Sequence, residues 1–158
     1  GFQKWKDYDA ELFDKVKFEA DIKIVTSPVN ISGSDISEKA IGQARANASM
    51  AGLKEVISLE VADFINLKAS GDNGFLFFNP PYGERLLPDD TDKLYNIIGS
   101  TLKHSFPGAT AWLITSNKES LKQVGLKPAK KYTLFNGALE CILLKYEMYS
   151  GTKKIVNL

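Results

Sequence analysis

Asn79-Pro80-Pro81-Tyr82 is the tetrapeptide in this sequence with the most chemistry in it. The two prolines fix φ at successive residues and carry no N–H, so the turn is stiff and its carbonyls are left to face outward. Pro80 also pushes Asn79 out of helical geometry. The product is a rigid rim offering an amide side chain, a backbone carbonyl and an aromatic ring. Those groups suit a planar base that carries an exocyclic amino group. The Asn79 side-chain oxygen and the Pro80 carbonyl can accept both amino hydrogens while the Tyr82 ring stacks on the base. Such an amine is a poor nucleophile, because its lone pair is delocalised into the ring. Two acceptors that hold its hydrogens favour a pyramidal nitrogen with the lone pair aimed at a methyl donor. Positioning then does most of the work, an effect worth up to ~7–11 kcal/mol, and no strong base or covalent nucleophile is required.

The elements around this tetrapeptide predict where it sits. Strand-like segments run over 29–34, 56–61, 75–78 and 109–115, and helix-like segments over 9–21, 37–50 and from Asp89 or Asp92 to 105. Asp7 or Asp9 can cap the first helix, with Leu12, Phe13 and Val16 on one side, and Ser37 the second, with Gly52 as terminator. Ile41, Ala44, Ala48 and Ala51 are expected to face a sheet, as are Leu94, Ile97, Ile98 and Leu102 on the third helix. The apolar run 75–78, after a turn at 71–74, reads as a parallel strand buried on both faces. Pro107-Gly108 stops the third helix, and a short helix over 118–124 follows the next strand. Two last strands, 131–135 and 139–146, joined by Asn136-Gly137, form a hairpin. Together these predict an α/β fold, a mostly parallel sheet with an antiparallel hairpin at one edge. Ligands in such sheets bind beyond the carboxyl ends of the strands. That rule points to Asp35, Asp63 and Asn79, each just past a strand. Either aspartate could instead serve as a local cap.

Bulk properties narrow the class. The chain has 158 residues, 20 Lys plus Arg against 19 Asp plus Glu, and a net charge of +1. That length suits one domain, and the near-neutral charge means that a polynucleotide would need grip from elsewhere. Cys141 is the single cysteine and His104 the single histidine, so an internal disulfide is excluded and a metal site is not expected. Cys141 reads as a buried, inert thiol. The longest apolar runs are far too short to span a bilayer, and a cytoplasmic location without membrane partners is the expectation.

Asn79-Pro80-Pro81-Tyr82-Gly83-Glu84-Arg85-Leu86 resembles the signature of the bacterial ribosomal RNA large-subunit guanine-N2 methyltransferases, within the THUMP-associated RNA methylase family. Many members of that family carry the older label of N6-adenine-specific DNA methylase. Gly33-Ser34-Asp35-Ile36, Ala44-Arg45-Ala46-Asn47-Ala48 with Ala51-Gly52, and Trp5-Lys6-Asp7-Tyr8 are similar to the same family, so the likeness covers nearly the whole chain. The resemblance implies a Rossmann-like sheet, S-adenosylmethionine as cofactor and guanine N2 in ribosomal RNA as substrate. It implies catalytic roles for Asn79, Pro80, Pro81 and Tyr82, with Asn79 also beside the cofactor. Asp35 would hold the cofactor ribose and Asp63 its adenine amino group, with Phe64 or Ile36 against the adenine ring. Tyr82 would meet the substrate, and Glu84 and Arg85 either the substrate backbone or each other.

The family's first strand ends in a glycine-rich loop of the type Asp-Pro-Phe/Met-Cys-Gly-Ser-Gly-Thr, and residues 1–158 contain no such segment. The expectation is therefore a partial catalytic domain. Its first strand, its cofactor loop and the N-terminal RNA-binding module are missing. In the family the missing strand lies between the strand ending at Asp35 and the one ending at Asn79. Isolated, the fragment is expected to be inactive, to bind cofactor poorly and to self-associate, unless its two inner edges close on each other. Two other readings stand beside this one: an N6-adenine DNA methyltransferase, and a binding or assembly module without activity.

Overall fold

Asp9 and Ser37 start the first two helices as side-chain caps. Asp9 accepts from Leu12 N ahead of α1 (Ala10–Asp21), and Ser37 from Ala40 N ahead of α2 (Glu38–Met50). The computed structural model describes residues 1–25, 29–69, 71, 73–81 and 88–149. Between and after these helices come β1 (Ile31–Asp35), β2 (Ile57–Val61), β3 (Phe75–Phe78), α3 (Pro88–Ser105), β4 (Thr110–Thr115), β5 (Lys130–Asn136) and β6 (Leu139–Glu147). Short 3₁₀ turns cover Phe2–Lys4, Phe64–Asn66 and Ser120–Val124, so the segment expected as a short helix over 118–124 is a tighter turn.

Two sheets result. β1 and β2 pair in parallel, and a second sheet runs in the order β3-β4-β6-β5. Within it β3 and β4 are parallel, and β6 runs against both of its neighbours. The α/β class and the antiparallel hairpin at one edge are as expected, with the β1–β2 and β3–β4 ladders parallel and the β4–β6 and β5–β6 ladders antiparallel. Direct pairing of β1 with β3 does not occur among the described residues. β2 and β4 are their respective ladder partners there.

The core lies under the second sheet. Ala111, Leu113 and Thr115 of β4 are fully buried on one face, beside Ile142, Leu144 and Tyr146 of β6 and against Tyr95, Ile98 and Leu102 of α3. The buried stripe of α3 is Thr91, Tyr95, Ile98 and Leu102, at helical spacing. Ile97, expected inward, is 38% exposed because it stands one residue, about 100° of helix, off that stripe. β3 also departs from expectation. Leu76 and Phe78 pack against the core, but Phe75 and Phe77 are 69% and 76% exposed, since nothing among the described residues covers that face. Among the residues expected to pack from α1, Leu12 and Val16 are exposed and Phe13 joins a cluster with Phe2 and Tyr8. On α2 only Ile41 is buried.

α3 is seated by a glycine. A Cβ at Gly99 would fall 1.8 Å from the carbonyl oxygen of Val124, so helix and 3₁₀ turn are in backbone contact there. Gly125, with φ +64°, then turns the chain away. Because backbone cannot swing aside as a flexible side chain can, Gly99→Ala should cost about 2–3 kcal/mol of stability. Chemical denaturation checks this, and a variant as stable as the parent would contradict the packing.

Candidate functional site

Asp35, Asp63 and Asn79 all lie at carboxyl ends of strands. Asp35 is the last residue of β1, opposite Val61 of β2, and its carbonyl oxygen accepts from Ala62 N at 3.0 Å. One further residue along is Asp63, so the two carboxylates share one end of the two-stranded sheet. Each makes a local cap through one oxygen: Asp35 Oδ1 accepts from Ser37 N at 2.7 Å, and Asp63 Oδ1 from Ile65 N at 3.1 Å. Both side chains are exposed. A carboxylate uses two oxygens with about four acceptor sites, so a cap engages only part of its capacity. The remainder faces solvent at the position where a parallel-sheet fold receives a nucleoside. An exposed carboxylate at the end of β1 and a second beyond β2 suit, as acceptors, a ribose diol and an adenine amino group.

Asn79 belongs to the other sheet, and one aromatic contact brings it to the same neighbourhood. Phe64, next to Asp63, packs edge-on against Phe78, next to Asn79, with centroids 4.8 Å apart. Phe64 also stacks on Phe106 at 5.8 Å. This contact couples the two carboxyl-terminal ends, and the sequence reading missed it, because an aromatic after a strand carries no signal of its partner. It also engages Phe64 with the core. Ile36 is 74% exposed, which makes it the more available of the two side chains expected against an adenine ring.

Asn79 is exposed, Pro80 is buried and Pro81 is exposed, so the tetrapeptide is rooted at its second residue. Tyr82, Glu84 and Arg85 lie outside the described residues. A second unforeseen tie runs from Arg45 of α2, whose Nη2 donates to the Leu59 carbonyl at 2.7 Å and holds the helix along β2. A cleft of about 410 Å³ is lined by Lys68, Ala69, Gly71, His104, Ser105 and Pro107. Those segments lead into β3 and β4, so the cleft is at the amino-terminal end of the strands, away from the three polar residues.

The family model described as UPF0020, RMKL-like, methyltransferase domain, matches residues 3–145. The ribosomal RNA large subunit methyltransferase K/L of Photobacterium profundum is 34% identical over 161 residues, covering 98% of this chain and 23% of that protein. Among solved structures, SMU.472, described as a methyltransferase complexed with SAH, superposes with a TM-score of 0.80 at 32% identity, covering 96% of this chain and 40% of that one. A possible methylase from Clostridium difficile 630 gives 0.81 at 34% identity, over the same shares. The chain thus spans less than a quarter of the length of the curated relatives it matches. No helix among the described residues is long and apolar enough to cross a membrane.

Proposed function

The chain belongs to the RMKL-like methyltransferase domain family, and from that membership we propose that the protein containing it methylates the exocyclic N2 of a guanine in large-subunit ribosomal RNA. The observation that carries the reading is the convergence of Asp35, Asp63 and Asn79 at strand ends coupled through Phe64 and Phe78. S-adenosylmethionine supplies an electrophilic methyl on a sulfonium. Asp35 holds the ribose hydroxyls and Asp63 the adenine amino group, with Ile36 or Phe64 against the ring. Asn79 and the Pro80 carbonyl take the two hydrogens of the substrate amine, Pro81 stiffens the turn, and Tyr82 stacks on the base. The new N–CH₃ bond would form as the sulfonium S–CH₃ bond breaks, leaving neutral S-adenosylhomocysteine, and one amine proton would pass to solvent. Glu84 and Arg85 meet the RNA, whose main grip comes from an RNA-binding module outside residues 1–158. The reaction takes place in the cytoplasm.

Adenine presents an amine to the same two acceptors, so the deciding experiment offers the full-length protein both polymers. Deproteinised ribosomal RNA and DNA oligonucleotides are incubated with radiolabelled S-adenosylmethionine, and the labelled nucleoside is identified. N2-methylguanosine from RNA is the expected product. Label on adenine N6 of DNA would overturn the substrate, and label on neither would leave a binding module.

The isolated 158-residue chain should behave differently from the whole protein. Its support is the inner edges of β1 and β3, unpaired among the described residues, and the exposed rings of Phe75 and Phe77. Such edges and apolar faces recruit partners. Light scattering is expected to show association, and titration to show weak S-adenosylmethionine binding. A monomer with micromolar affinity would refute this.

A further inference from the structure

Tyr95 and Thr115 form a hydrogen-bonded pair of hydroxyls, both side chains fully buried, linking α3 to the end of β4. Neither enters the proposed chemistry directly, and their place in the fold is specific. β3 pairs with β4 so that Phe78 lies opposite Leu113. Pro80, the buried root of the tetrapeptide, is two residues past Phe78 in that ladder, as Thr115 is two past Leu113. Past the tetrapeptide the next described element is α3, and Tyr95 joins that helix to Thr115. Tyr95 thus ties the α3 side of the segment to Thr115, at the end of the strand that pairs with β3.

Other contacts hold the threonine still. Thr115 Oγ1 also accepts from Asn117 N at 2.9 Å, and Asn117 Oδ1 accepts from Ser120 N at 3.0 Å, which fixes the turn after β4. Asp92, one turn before Tyr95, accepts from Gln123 Nε2 at 3.1 Å in the following 3₁₀ turn. We propose that Tyr95 and Thr115 are positioning residues that set the height of the Asn79–Pro80 acceptors over the cofactor side of the sheet. This rests on the reading of that tetrapeptide as the amine-binding site. A neutral pair in an apolar core acts by geometry alone, and a half-satisfied one is penalised, which gives the pair a single preferred spacing.

The test compares Tyr95→Phe, Thr115→Val, the double variant and Thr115→Ser in the full-length protein. Each single loss of a hydroxyl should lower kcat by ~10–100-fold, as small misplacements of reacting groups do, with KM for S-adenosylmethionine changed less than about twofold. Because the two hydroxyls share one bond, the double variant should be no worse than the poorer single one. Thr115→Ser keeps the hydroxyl and should recover most of the rate. Unchanged kcat per folded molecule, with only a lower melting midpoint, would overturn the proposal and leave a purely structural pair. Amide hydrogen exchange supplies a readout independent of activity. Peptides spanning 79–95 should exchange faster in Tyr95→Phe than in the parent, with β6 unchanged, and equal exchange would also overturn it. A parent protein that methylates neither polymer would defeat the proposed function, while the exchange comparison would still decide this one.

Discussion

Asn79→Ala in the intact protein should lower methyl transfer by roughly 10²-fold or more while S-adenosylmethionine binding stays near that of the parent. The expectation follows from where the residue stands and what it can offer. Asn79 is exposed at the first position past β3, and Pro80 behind it is buried, so its amide projects from a fixed root. In the proposed site its oxygen takes one of the two amine hydrogens. Without it the nitrogen keeps its lone pair in the ring for more of the time, and the remaining acceptor, the Pro80 carbonyl, cannot orient the amine alone. Asp35 and Asp63 belong to the other sheet and stay in place, so the cofactor contacts assigned to them survive. Single-turnover rates with ribosomal RNA, paired with calorimetric titration of the cofactor, separate the two effects. Turnover close to the parent's would remove Asn79 from the chemistry. A parallel collapse of cofactor affinity would place it in the cofactor site instead.

What could be read from residues alone had a common character: short-range and chemical. The Asp9 and Ser37 caps were legible because a side-chain oxygen three residues ahead of an unpaired N–H is a local event. Strand ends at Asp35 and Asn79 were legible because hydropathy changes abruptly there. The hairpin was legible too, although its pairing puts Asn136 opposite Leu139 as the last strand pair. Gly137, at φ +62°, and Ala138 form the turn itself, one residue later than the Asn-Gly reading. Tertiary choices were not legible. Hydropathy ranks Ile97 above Tyr95 as a core residue, but the stripe of α3 passes through Tyr95, whose hydroxyl finds Thr115. Phe64 could have faced a ligand or the core, and its packing on Phe78 and Phe106 was decided by elements 14 and 42 residues away. The apolar run of β3 predicted burial on two faces. Whether a second layer is present to cover Phe75 and Phe77 is not a property of those four residues.

Asp35→Ala should do the opposite of Asn79→Ala, weakening S-adenosylmethionine by about 3 kcal/mol, a little over a hundredfold in Kd. Two hydrogen bonds from ribose hydroxyls to a charged acceptor are lost together, and bonds of that kind are the stronger ones. The competing role is structural, since Asp35 Oδ1 already accepts from Ser37 N. Local geometry limits that role. The cap of α2 is Ser37 itself, whose hydroxyl accepts from Ala40 N at 3.2 Å, so the helix keeps its own N-terminal acceptor when Asp35 is truncated. The strand is equally protected, because Asp35 meets Ala62 through its backbone carbonyl, which any residue provides. Asp35→Asn sharpens the distinction. Asparagine retains an oxygen for Ser37 N and loses both the charge and the second acceptor, so a capping role predicts a variant like the parent. A ribose-binding role predicts most of the loss seen with alanine. Calorimetric titration of both variants in the intact protein, beside their melting midpoints, reads the two contributions separately. Undiminished affinity with a lowered midpoint would assign Asp35 to the helix rather than to the cofactor.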